Sequence, residues 1–202
     1  MSQNKQIYYY DTGAFWRFFT IEYIEKIKLK DELKLYSPLN TDVNISRMIS
    51  PWAVEEFFHA YITMQGKNIK LPKGIEYPEK FFEKEIKKRT EVLSKIKSFL
   101  FLFSQDDVET RVINQLFLSL IFSAKENDIL SLSKNDSKIH SKDLLHLAYA
   151  LYFRTNTFIT CDKGFTLLLN VDIIKRLLSQ YKLKEIIIFD ENLTKIKKII
   201  VV

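Results

Sequence analysis

Ser141–Phe165 reads SKDLLHLAYALYFRTNTFITCDKGF. Its first half predicts a helix that opens on Ser141 as N-cap, with Asp143 in the first turn. Leu144, Leu147, Ala148 and Leu151 recur at helical spacing and give that helix one apolar face. Arg154, Thr155 and Asn156 break the pattern. Thr157–Thr160 is β-branched or aromatic throughout and predicts a short buried strand. The strand closes on Cys161 and Asp162, and Lys163-Gly164 supplies a turn. One carboxylate is thus set at a helix start and another just past a strand end. In an α/β sheet, ligands bind in the crevice beyond the carboxyl ends of the strands. Other acids arriving at that edge would make a site.

Bulk composition narrows the class. The chain has 202 residues, of which 47% are hydrophobic, enough for one large domain with a real core and too apolar for disorder. Four Gly and four Pro argue against an all-β fold with many tight turns and for a helix-rich one. A net charge of +6 suits a polyanionic partner, although charge alone speaks first to solubility. Cys161 is the single cysteine, so no internal disulfide can form, and it reads as a small buried hydrophobe. The N-terminal MSQNKQIYYYDTG has no apolar signal-peptide core, and no run is long enough to span a bilayer. A cytoplasmic protein without membrane partners is expected.

Along the chain, Ile7–Tyr10 predicts a first strand that stops at Asp11-Thr12-Gly13. Ala14 to about Lys30 predicts a helix, with Phe15, Phe18, Phe19, Tyr23 and Ile27 near one face. Asn44–Ser50 predicts a second strand. Ser50 as N-cap and Pro51 in the first turn then open a helix through Trp52, Glu55, Glu56 and Phe57. Glu79–Phe103 and Asp107–Glu126 predict two helices packed as a hairpin. The charge run of the first, which includes Lys84, Lys87, Lys88 and Arg89, reads as a solvated face or as a basic rail beside a nucleic acid. A polar linker covers 127–140. After Phe165, Leu167–Tyr181 predicts a helix and Glu185–Phe189 a strand buried on both faces. Residues 193–202 form an edge strand or a docked tail.

The alternation of strands and helices predicts a single α/β domain over residues 1–202. A mostly parallel central sheet is flanked by helices in three layers, with an inserted helical hairpin at about 79–126. Asp11, Asp162 and Asp190 end strands, while Glu56 and Asp143 sit in early helix turns. Asp11, Asp162 and Asp143 can converge at one sheet edge. Clustered carboxylates repel and raise one another's pKa unless a cation holds them. A donor set made only of oxygens suits Mg²⁺ or Mn²⁺. His146 and Cys161 lie close in sequence to two of the acids, which leaves a softer metal open. His146, one turn after Asp143, reads as a structural helix residue. A hard ion at such a site supports phosphodiester hydrolysis. Singly, each acid also has a plain structural reading: Asp11 and Asp143 as helix caps or dipole partners, Asp162 as a turn former, Glu56 as an exposed helix charge.

Four segments resemble the PIN-domain family, the ribonuclease fold of many prokaryotic toxin–antitoxin toxins of the VapC type. IYYYDTGAF carries Asp11 at the end of a first strand. ISPWAVEEFF carries a Ser-led helix in which Glu56 is the match and Glu55 its neighbouring alternative. SKDLLHLAYAL carries Asp143, and FITCDKGF carries Asp162 and Phe165, with Thr160 as the site-proximal hydroxyl. The resemblance covers roughly residues 7–62 and 140–190. It implies that Asp11, Glu56, Asp143 and Asp162 bind Mg²⁺ or Mn²⁺ and that RNA is cut to leave 5′-phosphate and 3′-hydroxyl ends. It also implies neutralisation by an antitoxin protein and a homodimer. The chain length and the bulky hairpin depart from the usual toxin pattern.

Two other readings compete. Asp11-Thr12-Gly13 after an apolar strand also matches the aspartic-protease signature, but that enzyme needs two such loops on a Gly-rich β framework, which this chain lacks. A non-catalytic RNA- or partner-binding PIN module would bind RNA without cutting it.

Overall fold

The computed structural model describes residues 5–40, 42–50, 52–54, 56–57, 99–101, 107–131, 138–190, 192–194 and 196–201. Strands β1 (Gln6–Tyr10), β2 (Ile45–Ile49), β3 (Phe99–Phe101), β4 (Thr157–Thr160), β5 (Glu185–Phe189) and β6 (Ile196–Ile200) form a six-stranded sheet in the order β3-β2-β1-β4-β5-β6. The pairings from β3 through to β5 are parallel, and β6 closes the far edge antiparallel to β5. The helices are α1 (Thr12–Phe19), α2 (Asp31–Lys34), α3 (Asp107–Glu126), α4 (Ser141–Tyr152) and α5 (Asp172–Gln180). Residues 52–54 and 56–57 are also helical.

The two-residue period of the strands divides the core into two layers. Tyr9, Met48, Phe158, Ile186 and Ile188 point to one face, where they meet Leu116 and Leu120 of α3 and Leu144 and Leu147 of α4. Tyr8, Tyr10, Ile45, Ile49, Ile159, Ile187 and Phe189 point to the other, against Phe15, Phe18 and Phe19 of α1 and Phe57. Apolar residues on both sides of β1, β2, β4 and β5 are what a parallel sheet covered by helices requires. The three-layer α/β arrangement read from the sequence is therefore present, with a mixed, mostly parallel sheet.

Register at the amino edge is pinned by Asn156. Its Oδ1 accepts from the Ile7 amide at 2.9 Å, its own amide donates to the Ile7 carbonyl at 2.8 Å, and its carbonyl accepts from the Lys184 amide at 2.9 Å. One residue thus ties β1, β4 and β5 together just after Arg154, whose φ of 52° ends the preceding helix.

Several boundaries differ from the sequence reading. The helix after β1 ends at Phe19, passes through one π-helical turn at Thr20–Ile24, and stops before Lys26, whose φ is 56°. The predicted helix over Leu167–Tyr181 is a 3₁₀ segment, Lys163–Asn170, followed by α5; Val171, extended at φ −110° and ψ 106°, separates them. The largest correction concerns the hairpin. Phe99–Phe101 is not helical but the edge strand β3, paired in parallel with β2. A short apolar run such as FLF has no period of its own, and the open edge of β2 decides its conformation. The second arm of the predicted hairpin is α3 as expected, packed on α4, while residues 79–98 of the first lie outside the described residues. The C-terminal segment takes the edge-strand alternative.

Phe158 shows what holds the central layer. Fully buried in β4, it stacks on Tyr9 at a ring separation of 5.5 Å and meets Phe165 at 4.8 Å. Truncation leaves a cavity between strand and helix layers, so Phe158→Ala is expected to cost about 3–5 kcal/mol in urea unfolding. A loss under about 1 kcal/mol would contradict this packing.

Candidate active site

The strand order places a topological switch between β1 and β4. The chain steps outward from β1 to β2 and β3, then returns to the opposite side of β1. The crevice at such a point opens beyond the carboxyl ends of the two strands. Asp11 follows β1 and Asp162 lies two residues beyond β4. The helix α4 precedes β4, so its first turn, with Asp143, begins at that same edge. These three acids are the ones brought together: Asp11 and Asp162 both act on Asp143, and Asp162 also acts on Asp11.

Asp11 is buried, with 5% of its surface exposed. It caps α1, where Oδ1 accepts from the Ala14 amide at 2.7 Å, and Oδ2 accepts from the Thr160 hydroxyl. Burial pushes its carboxyl above the usual range, against the pull of these two donors. Thr160, the last residue of β4, is the donor to Asp11 Oδ2. Its hydroxyl oxygen also accepts the Asp162 amide at 2.9 Å and so joins the two strand-end acids. Asp162 in turn caps the 3₁₀ segment through the Gly164 amide at 2.6 Å. Gly164 suits the close approach there, because a Cβ would stand 3.0 Å from Ile139 backbone atoms and 3.1 Å from Asp162 Oδ1.

Asp143 is buried to 6% exposure, and its Oδ2 accepts the His140 amide at 3.1 Å. The N-cap of α4 is therefore His140, extended at φ −91° and ψ 155°, and Ser141 is the first helical residue rather than the cap. Desolvation, then the adjoining Asp162 carboxyl and the charge of Asp11, push Asp143 up to about 8. Near neutral pH Asp143 therefore keeps its proton.

Glu56 stands slightly apart. One oxygen, Oε2, accepts from the Thr12 hydroxyl and lies 3.2 Å from His146 Nε2, while Oε1 is 3.8 Å from Lys142 Nζ. Partial burial pushes this carboxyl up, but the hydrogen bonds from His146 and Thr12 and the charges of His146 and Lys142 outweigh it and hold it at about 2. Glu55 lies outside the described residues, as do Lys84, Lys87, Lys88 and Arg89.

The sequence reading took one residue near this site, His146, as structural and did not single out two others, Thr12 and Lys142. His146 is 2% exposed, and its Nδ1 meets the Tyr9 hydroxyl at 3.0 Å while Nε2 meets Glu56. Thr12 and Lys142 complete the setting of Glu56. The available signal was spacing. His146 is three residues after Asp143 and so shares its helix face, and Thr12 directly follows Asp11.

The donor chemistry of Asp11, Asp143 and Asp162, all hard oxygens, fits a divalent ion of the Mg²⁺ or Mn²⁺ kind. Their mutual repulsion is the kind that such an ion relieves. As the side chains stand, no group of three His, Cys, Asp or Glu among the described residues is placed to hold a metal. Both Asp11 oxygens and the Asp162 Oδ1 are occupied by local donors instead.

The carboxylate cluster has a pH signature. The folded-state value of Asp143 lies above its ordinary 3.8, so the folded protein binds more protons than the unfolded chain once the unfolded carboxyl ionises. Asp11 acts in the same direction. Glu56, held below its ordinary value, is ionised in both states above about pH 5 and adds no slope there. In EDTA, stability is thus expected to fall from about pH 5 to about pH 8, by at most about 1.4 kcal/mol per pH unit per group. Asp143→Asn removes most of that decline, measured by urea unfolding at each pH. A wild-type profile that rises over this window would overturn the pairing. Compared with known protein families, with curated proteins and with solved structures, the chain shows no match to any.

Proposed function

We propose that this protein is a metal-dependent ribonuclease of the PIN kind. The observation that carries the reading is the convergence of Asp11, Asp143 and Asp162 at the switch point of a parallel sheet. Buried carboxylates at that position are costly for the fold and useful for holding a hard cation. In this reading Asp11, Asp143 and Asp162 hold Mg²⁺ or Mn²⁺, with Glu56 as a further acid at the rim. When bound, such an ion supplies polarisation of a phosphoryl oxygen and a water of lowered pKa. The chain's own residues do the rest. Thr160 fixes the Asp11 carboxylate and the Asp162 backbone in one frame. Thr12, His146 and Lys142 fix the direction of Glu56. Neutralisation by an antitoxin and homodimer formation belong to the same proposal and rest on the family resemblance. Among the described residues, no helix is long and apolar enough to cross a membrane.

One observation favours the second reading, a non-catalytic RNA- or partner-binding PIN module. Asp11 and Glu56 are both engaged by local donors, so each has a structural occupation. That module would bind RNA and cut none.

The experiment compares wild type with Asp143→Asn on single-stranded and structured RNA, in Mg²⁺, in Mn²⁺ and in EDTA. Cleavage is expected only with metal, and the variant is expected to lose on the order of 100-fold or more. Because Asp143→Asn also relieves the carboxylate repulsion, it is expected to remain folded. Equal cleavage by the variant, or cleavage undiminished in EDTA, would overturn the proposal. RNA binding with no cleavage in either metal would favour the second reading.

A further inference from the structure

Two aromatic side chains are exposed among the described residues, Trp52 at 48% and Phe122 at 59%. Single exposed apolar residues are ordinary on a protein surface, so exposure alone carries nothing. Placement separates the two. Phe122 belongs to α3, which contributes none of the acids. Trp52 belongs to the helical residues that follow β2. Because β2 runs parallel to β1, those residues begin at the edge where Asp11 lies. Ser50 starts them off: its hydroxyl accepts the Ala53 amide at 3.0 Å and its carbonyl the Val54 amide at 3.1 Å.

Helical spacing fixes what Trp52 stands beside. Ala53 and Phe57, four apart, are buried and anchor this turn to the core beside Phe15 and Phe19. Trp52 and Glu56 are also four apart, so they form the neighbouring row, one above the other. Glu56 is half-buried and is fixed in the site by Thr12, His146 and Lys142. The indole is thereby held within one helical turn of the acid rim, on its solvent side. Among the described residues it meets neither a ring nor a hydrogen-bond partner. Lys142 brings a cation to the same rim, 3.8 Å from Glu56 Oε1. A free flat ring beside carboxylates that suit a divalent ion matches the two halves of a nucleotide: the ion takes the phosphate and the ring takes the base. An apolar peptide would use the ring and not the acids, and a bare phosphate the reverse. Bases already stacked in a duplex do not offer a face to the ring, so the fit is to a single strand.

We infer that Trp52 is a stacking platform for a base of single-stranded RNA, next to the phosphate that the acid edge takes. The inference rests on the ribonuclease reading for the identity of the polymer, and its test is made independent of cleavage. Trp16 and Trp52 are the only tryptophans of the chain, and Trp16 packs edge-on against Phe57 at 5.5 Å. Trp16→Phe keeps a ring there and leaves Trp52 as the single indole reporter. Single-stranded RNA is titrated into Trp16→Phe/Asp143→Asn protein in Mg²⁺, and tryptophan emission is read. Stacking is expected to quench it, whereas an abasic strand of equal length and duplex RNA leave most of it intact. In Asp143→Asn protein, Trp52→Ala is expected to weaken binding of labelled RNA about tenfold by anisotropy. Its salt slope is expected to stay unchanged, because stacking releases no counterions. Trp52→Phe is expected to recover most of the loss, and Phe122→Ala to change binding by less than about twofold. Equal quenching by the abasic strand, unchanged affinity in Trp52→Ala, or equal weakening by Phe122→Ala would each overturn the inference. So would Trp52-dependent binding of an apolar peptide with RNA unaffected. Trp52-dependent RNA binding by a wild type that cuts nothing would leave the platform standing and remove the ribonuclease reading. Metal-dependent cutting with Trp52-independent binding would do the reverse.

Discussion

Placing like charges together where water is scarce is the constraint on which this site depends. Asp11 and Asp143 are both nearly buried, and Asp162 adjoins Asp143. Each ionised carboxylate there loses hydration and gains a repulsive neighbour. The fold meets that cost locally. The Ala14, His140 and Gly164 amides each donate to one of the three acids: Asp11 and Asp162 double as caps of their own helical segments, and Asp143, in the first turn of α4, accepts the amide of the capping residue His140. Helix N-termini are suited to this task, because their first amides have no partner within the helix and carry partial positive charge. The remaining strain falls on Asp143, which holds its proton to about 8.

The site is continuous with the core rather than laid over it. Tyr9 packs its ring on Phe158 in the middle layer and presents its hydroxyl to His146. His146 passes that constraint to Glu56, which Thr12 and Lys142 hold from other directions. A buried ring thereby sets the position of a rim carboxylate. Through Thr160, the two strand-end acids are likewise locked to each other. The geometry of the edge is thus carried by β1, β4 and the two helical segments that start there, elements whose registers are pinned at the opposite edge by Asn156.

Much of the fold was legible in local pattern. The strands at 6–10, 45–49, 157–160 and 185–189 coincide with short β-branched or aromatic runs bounded by turn residues. The Ser50 cap is present, with its hydroxyl accepting the Ala53 amide at 3.0 Å. What failed were elements whose signal is shared between two conformations. FLF at 99–101 suits a helix end or a strand equally, and the stretch after Phe165 suits one long helix or a 3₁₀ segment and a shorter helix. The partners of His146 were not legible for a different reason: a lone histidine on an apolar helix face looks the same whether it packs or hydrogen-bonds a carboxylate.

By itself, the sequence determined the α/β class, the residues that end β1 and β4, and the presence of acids at helix starts. These follow from hydrophobic period, turn chemistry and capping, which act over a few residues. Which acids meet, and which cations join them, was decided only by the tertiary structure. The strand order puts β4 beside β1 and brings Asp162 to Asp11. The antiparallel return of β6 brings Lys197 to the same edge, and the packing of α4 sets His146 against Glu56 and Tyr9. Those encounters join residues dozens to more than a hundred positions apart, and no local pattern encodes them. They arise because each helix and strand buries its apolar face in the one arrangement that leaves the carboxyl edge of the sheet open.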